Sequence, residues 1–225
     1  MISQIYDLHT HTYNSDGILS PFELIRQAHR RSYAAVGIAD HMGAGGMERR
    51  IAELIADCEL ASSHWDIIAV PGVELTHVPP ESIPKLAATA KAAGAKLVIV
   101  HGETPLERVP SGTNYTAINC PDVDILAHPG LIEKDDVARA AERGILLEIS
   151  GRREHCLCNG RLAQLAREYG AKLIIDSDAH TPDELLNLSV AETIALGAGL
   201  SEDEAREALY DNPRNILKRL GYSLK

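Results

Sequence analysis

Aromatic side chains are scarce: one Trp, one Phe and seven Tyr, or 4% of 225 residues. Ala, Ile, Leu and Val must therefore fill the core, which suits parallel strands under packed helices better than an aromatic-rich binding sheet. Cations are also in deficit, with 22 Lys and Arg against 32 Asp and Glu and a net charge of -10. A surface that captures nucleic-acid phosphates relies on clustered Lys and Arg, so nucleic acid is not the expected partner. No apolar run approaches the roughly 20 residues that span a bilayer, which predicts no membrane partner. The four cysteines, Cys58, Cys120, Cys156 and Cys158, show neither a Cys-x-x-Cys pair nor a secreted framework. Free thiols in a reducing compartment are expected. The chemistry-bearing segment begins at Asp7, which leaves no room for a cleavable leader and points to the cytoplasm.

No linker or composition break divides the chain, so one domain over 1–225 is expected. What the chain does have is alternation. Seven apolar runs, at 4–9, 34–40, 66–75, 95–101, 122–128, 144–150 and 171–178, are separated by amphipathic segments. In "SPFELIRQAHRRS", Ser20 caps, Pro21 takes the first turn and Glu23 is expected to reach back to the cap. In "DDVARAAERG", Gly144 closes the helix. Two further helical segments follow the seventh run, the last starting at Asn212 and Pro213. Repeated βα units give an open doubly wound sheet or a closed barrel. The Gly-x-Gly-x-x-Gly expected of a dinucleotide-binding sheet is missing after the first run, where His-Thr-His stands instead.

Run after run ends in an imidazole or a carboxylate: His9 and His11, Asp40 and His41, Glu74, His101, His128, then Asp178 and His180. In a parallel barrel these C-terminal edges converge on one rim, where active sites are assembled. Residues two apart on an extended chain share a face, so His9 with His11, and Asp178 with His180, can aim at one centre. Six of the ten histidines lie at such ends, with Asp16, Glu74 and Asp178 beside them. That ring would stay unsatisfied unless cations filled it. Imidazole and carboxylate without thiolate suit Zn, Mn or Fe, and the set would serve two or three divalent ions, with Glu74 as a bridge.

The signals "DLHTHTYNSDG", "ADH", "PGVE", "VHGE", "AHPG" and "SDAH", in this order over residues 7–180, resemble the PHP (polymerase and histidinol phosphatase) family. The resemblance implies a distorted (β/α)7 TIM-like barrel and a trinuclear centre. One ion would take His9, His11, Glu74 and Asp178; a second Glu74, His101 and His128; a third Asp16, His41 and His180. Asp16 stands where some family phosphatases carry histidine. The implied reaction is hydrolysis of a small phosphate monoester by metal-held hydroxide, as in a histidinol-phosphatase of histidine biosynthesis. Glu74 and Asp178 would serve the catalytic centre as well as the metals. A phosphodiesterase or exonuclease, and a noncatalytic PHP module, are the alternatives.

Further candidates surround this set. His155 follows the sixth run and is the candidate for protonating the leaving group. Arg152 offers a guanidinium able to clamp phosphate in bidentate fashion, with Arg153 beside it. Glu103 is expected to fix a metal ligand or to bind a substrate amine. "PSGTNY" (110–115) reads as a flexible loop lining the pocket, and His77 as a supporting residue near Glu74. Asp40 and Asp176 read as rim scaffold, while His29 and His64 fall in helices without a catalytic role.

Overall fold

The computed structural model describes residues 4–224. Each of the seven apolar runs forms a strand: β1 (Ile5–Thr10), β2 (Tyr33–Ile38), β4 (Ile68–Leu75), β5 (Leu97–His101), β6 (Ile125–Ala127), β7 (Leu146–Ser150) and β8 (Leu173–Asp176). A two-residue strand that the hydrophobic pattern does not announce, β3 (His41–Met42), pairs with the end of β4 and sets His41 opposite Glu74. All pairings are parallel, in the order β1-β2-β4-β5-β6-β7-β8. The intervening helices are α1 (Pro21–Arg30), α2 (Met47–His64), α3 (Ile83–Ala92), α4 (Thr113–Asn119), α5 (Lys134–Arg143) and α6 (Asn159–Tyr169). After β8 come α7 (Leu188–Gly197), α8 (Glu202–Arg206) and α9 (Asn212–Arg219). The fold is a TIM-like α/β barrel. Among the described residues no helix is long and apolar enough to cross a membrane.

The strands are buried on both faces because one row meets helices and the other fills the barrel. Val73, Val98, Leu126, Leu147 and Ile175 pack outward in a cluster with helical residues such as Ala87, Val137 and Leu162. Val70, Leu97, Ile99, Ile125, Leu146 and Ile174 form the inner cluster. The two-residue period continues these inner rows into polar positions: Val70 to Glu74, Ile99 to His101, Leu146 to Glu148, and Ile174 to Asp176. The barrel is thus apolar at its floor and ionisable at its C-terminal mouth.

Closure between β1 and β8 uses side chains where backbone pairing is incomplete. Asp176 Oδ1 accepts from the Leu8 N–H at 2.6 Å, and Asp7 Oδ1 from the Ser177 N–H at 3.0 Å. Nearer the mouth the backbone takes over, as Asp178 N–H donates to His9 O and His11 N–H to Ala179 O, both at 2.9 Å. Asp176 is therefore scaffold, as its sequence position suggests.

Helix ends follow local chemistry. Ser20 caps α1 by accepting from the Glu23 N–H, a contact worth about 1 kcal/mol. The Glu23 carboxylate does not return to the cap as expected; it binds Arg26 and Gln27, one turn ahead. Gly144 ends α5 in the left-handed region. Segment 110–115 is a short loop running into α4, not a flexible pocket wall, since Asn114 is buried and donates to Pro129 O at 2.8 Å.

Candidate metal centre

Glu74 ends on the inner face of β4 and lies among five imidazoles. Its Oε1 is 3.6 Å from His9 Nε2, 3.3 Å from His101 Nδ1 and 3.8 Å from His128 Nε2. Its Oε2 is 3.8 Å from His11 Nε2 and 2.8 Å from His41 Nε2. Asp178 faces it from the end of β8, with Oδ1 3.0 Å from His11 Nε2 and 3.9 Å from His9 Nε2, and Oδ2 3.8 Å from His128 Nε2. Asp16 brings the outermost group together: its Oδ1 lies 3.0 Å from His180 Nε2 and 3.6 Å from His41 Nδ1. All nine residues named for metals in the sequence meet at one mouth. Three of their groupings, His9–His11–Glu74, Glu74–His101–His128 and His11–Asp16–His41–His180, have ligand atoms mutually within 4.8 Å.

Local backbone chemistry makes this convergence. Thr12 O accepts from Ser15 N–H and Gly17 N–H at 3.0 Å, folding the turn that carries Asp16. A Cβ at Gly17 would strike the His11 carbonyl, so only glycine lets this turn close. Asp40 fixes the same loop, accepting from Thr12 N–H at 2.6 Å, Thr12 Oγ1 at 2.7 Å and Ser15 Oγ at 2.8 Å. His128 and Asp178 hold left-handed φ values of 28° and 54°, a cost of order 1–3 kcal/mol that non-glycine residues accept at functional sites.

The donor set fits divalent ions. Glu74 Oε1 is buried without a hydrogen-bond partner among the described residues, although nitrogens of His9, His101 and His128 and the Asp178 carboxylate crowd the same space. Such a dense group of buried acceptors is costly unless charge is compensated. Burial opposes ionisation of Glu74, yet His9, His101 and His41 hold its carboxyl well below the usual range. Asp178 is likewise held low by His9 and His11 against its burial. Burial pushes His9 down, but Glu148, Asp178 and Glu74 outweigh it and raise the imidazole well above its ordinary value. Burial, with His101 beside it, keeps His128 well below.

One essential contact escapes the strand-end pattern. Glu148, within β7, lies 2.6 Å through Oε2 from His9 Nδ1, and both are fully buried. The carboxylate sets the His9 tautomer and leaves Nε2 for the centre. The available signal was a lone acid in the apolar run "GILLEIS", which needs a buried partner.

The remaining candidates divide. Arg152 reaches the mouth: its guanidinium contacts His180 Nδ1 and donates to Asp178 O at 3.2 Å. His155 stacks on His128 with ring centroids 4.1 Å apart, and its Nε2 is 3.7 Å from Asp178 Oδ2. Its Nδ1 meets Thr104 Oγ1 at 3.1 Å. Arg153 is exposed. Glu103, expected on a metal ligand or substrate, instead accepts from Gly112 N–H and Asn114 N–H, each at 3.0 Å, because these donors at the start of α4 are otherwise open. His77 turns away from Glu74 to Glu107, 2.9 Å away. A cavity of about 690 Å³ at the N-terminal end of the barrel, lined by Tyr6, Tyr33 and Trp65, contains none of these groups.

No family model matches the chain. It is 44% identical over 216 residues to the uncharacterized protein MJ1295 of Methanocaldococcus jannaschii, covering 96% of this chain and 99% of that protein. It is 27% identical over 233 residues to ribonuclease P protein component 3 of Methanosarcina mazei, covering 96% and 90%. A probable phosphatase of Thermoanaerobacter sp. is 34% identical over 101 residues, 39% of this chain and 40% of the relative. In structure, a chain in the cryo-EM structure of archaeal ribonuclease P with mature tRNA matches with a TM-score of 0.66 at 15% identity, over 97% of each chain. This chain belongs to one family with MJ1295, and its fold is a TIM-like α/β barrel.

Proposed function

We propose that the protein is a metal-dependent phosphoesterase that removes phosphate from a small monoester, with histidinol phosphate as the first substrate to try. The observation that carries this reading is Glu74 among five imidazoles, opposite Asp178, at the mouth of a barrel. His9, His11, Glu74 and Asp178 would hold one ion, Glu74, His101 and His128 a second, and Asp16, His41 and His180 a third, drawn from Zn, Mn or Fe. When bound, such ions neutralise phosphoryl oxygens and make water acidic enough to supply a nucleophile near neutral pH.

The chain's own residues complete the reaction. Arg152, beside His180, binds a phosphoryl oxygen. His155 gives a proton from Nε2 to the departing alkoxide. Burial, with His101 and Arg152 beside it, holds the His155 pKa below its ordinary value, and Asp178 and Glu107 pull the other way without reversing it. Glu148 holds His9 in register. Phosphate release from a panel of monoesters, by protein loaded separately with Zn, Mn and Fe, tests the assignment. Turnover of a monoester supports it, and cleavage of diesters alone overturns it.

The relatives support a second reading. The match to ribonuclease P protein component 3 spans nearly the whole chain, so action on RNA, or a noncatalytic place in an RNA–protein assembly, competes with the small ester. Degradation of labelled single-stranded RNA and DNA, run beside the ester panel, separates catalysis on nucleic acid from catalysis on esters. Retention of fewer than about two ions per chain after metal loading favours the noncatalytic place.

A further inference from the structure

Two groups beside the nine-residue centre, His77 and Glu107, form a further constellation with one of its members, His101. His77 follows β4, and Glu107 lies on the loop between β5 and α4. The His77 Nε2 to Glu107 Oε1 distance is 2.9 Å. Glu107 Oε2 is 4.0 Å from His101 Nε2. His101 turns its other nitrogen, Nδ1, inward to Glu74 at 3.3 Å. Its Nε2 is buried and without a hydrogen-bond partner, and it points out of the centre toward Glu107. One ligand atom from each of His77, His101 and Glu107 falls within 4.8 Å of the others. The His77 and His101 rings stand 5.0 Å apart at 71°.

His77 holds a left-handed φ of 56°, shared among non-glycine residues of this mouth with His128 and Asp178. Strain of this kind persists where the surroundings over-determine a conformation. A carboxylate at 4.0 Å leaves the buried nitrogen unmet, whereas an ion between the groups would satisfy it. Two imidazole nitrogens and one carboxylate oxygen are a donor set for a borderline divalent ion, held at about 2.0–2.2 Å from each. His77 and Glu107 are 50% and 44% exposed on separate loops, so both can close onto an ion arriving from solvent.

We propose that His77, Glu107 and the outward Nε2 of His101 form an additional zinc-class site, adjoining the nine-residue centre and sharing His101 with it, which fastens the loops after β4 and β5 across its mouth. His101 would join the two sites as an imidazolate, releasing its ring proton to solvent. The proposal rests on the reading of the inner cluster as a metal centre.

The full chain, dialysed against buffered free Zn²⁺ over a range of concentrations, is assayed for zinc per chain beside His77→Ala and Glu107→Gln. Both substitutions are on half-exposed loops and leave the nine inner residues in place. Wild type is expected to hold one equivalent more than either variant at intermediate free zinc, and Co²⁺ loading should give a tetrahedral absorption band that both variants lose. Equal zinc occupancy and equal Co²⁺ spectra in all three proteins, with inner ions retained, overturn the outer site alone. Absence of tightly held zinc from wild type overturns the inner reading and the outer site with it.

Discussion

Glu148 Oε2 lies 2.6 Å from His9 Nδ1 and both side chains are fully buried, so the first histidine of the sequence is oriented from β7, two strands away around the closed barrel. Glu148→Gln keeps a polar group there but removes the charge. Zinc affinity, measured by competition with a chromophoric chelator, should fall by about 10- to 100-fold. The secondary structure by circular dichroism should stay unchanged. Unaltered affinity would mean that His9 does not depend on this contact.

Glu74 contacts ligands from every grouping, so its loss should not resemble loss of a peripheral ligand. Glu74→Ala is expected to abolish turnover and to lower the retained metal by more than one ion per chain. His180→Ala, confined to the outer group with Asp16 and His41, should lower it by one or less. Elemental analysis after gel filtration checks both.

Much of this centre is legible in the chain because a closed parallel barrel converts strand-end position into spatial position. His9, Glu74 and His101 need no loop geometry to be brought together, only strand period and closure, whereas Asp178 also needs the left-handed turn after β8. What is less legible depends on partners remote in sequence. Glu148 looks like a strand interruption until His9, 139 positions away, is seen against it. Glu103 and Glu107 are four residues apart on one loop, yet one caps α4 and the other faces the mouth. Only the folded loop decides which. The strand at His41–Met42 is set by its register against Glu74, since two residues carry no period.

Metal uptake should release protons. His9 and His41 have raised pKa values: burial opposes this, but neighbouring carboxylates prevail. Both therefore carry protons in the metal-free protein at and above pH 6.5, the ordinary histidine value. Ligation needs the neutral ring, so each must give up its proton. Affinity should rise with pH from the ordinary histidine range upward and flatten above the raised values. Zinc addition in weak buffer with an indicator dye measures the release, and a proton count near zero at pH 6.5 would contradict the raised values.

Arg152→Ala separates substrate binding from metal binding. The guanidinium sits beside His180 without belonging to the donor set, so the retained metal should match wild type. Loss of one charge-assisted contact to phosphate should lower kcat/KM by about tenfold or more. A change in metal content equal to that of His180→Ala would show instead that Arg152 supports the ligand.

Leu8 N–H is buried, and its partner across β1 and β8 is a side chain, Asp176 Oδ1, where an ordinary sheet would supply a carbonyl. Asp176→Ala leaves that donor unmet and opens space at the closure, whereas Asp176→Asn retains an acceptor and removes a carboxyl that burial, Asp7 and Glu148 hold well above its usual pKa. The Ala variant should lose about 1–3 kcal/mol of unfolding free energy in urea through the orphaned donor. The Asn variant should lose much less, because its amide oxygen can still accept from Leu8 and no charge needs to be buried. Equal losses in the two would mean that the hydrogen bond is not what closes the barrel, leaving the backbone contacts of His9, His11 and Ala179 to do so.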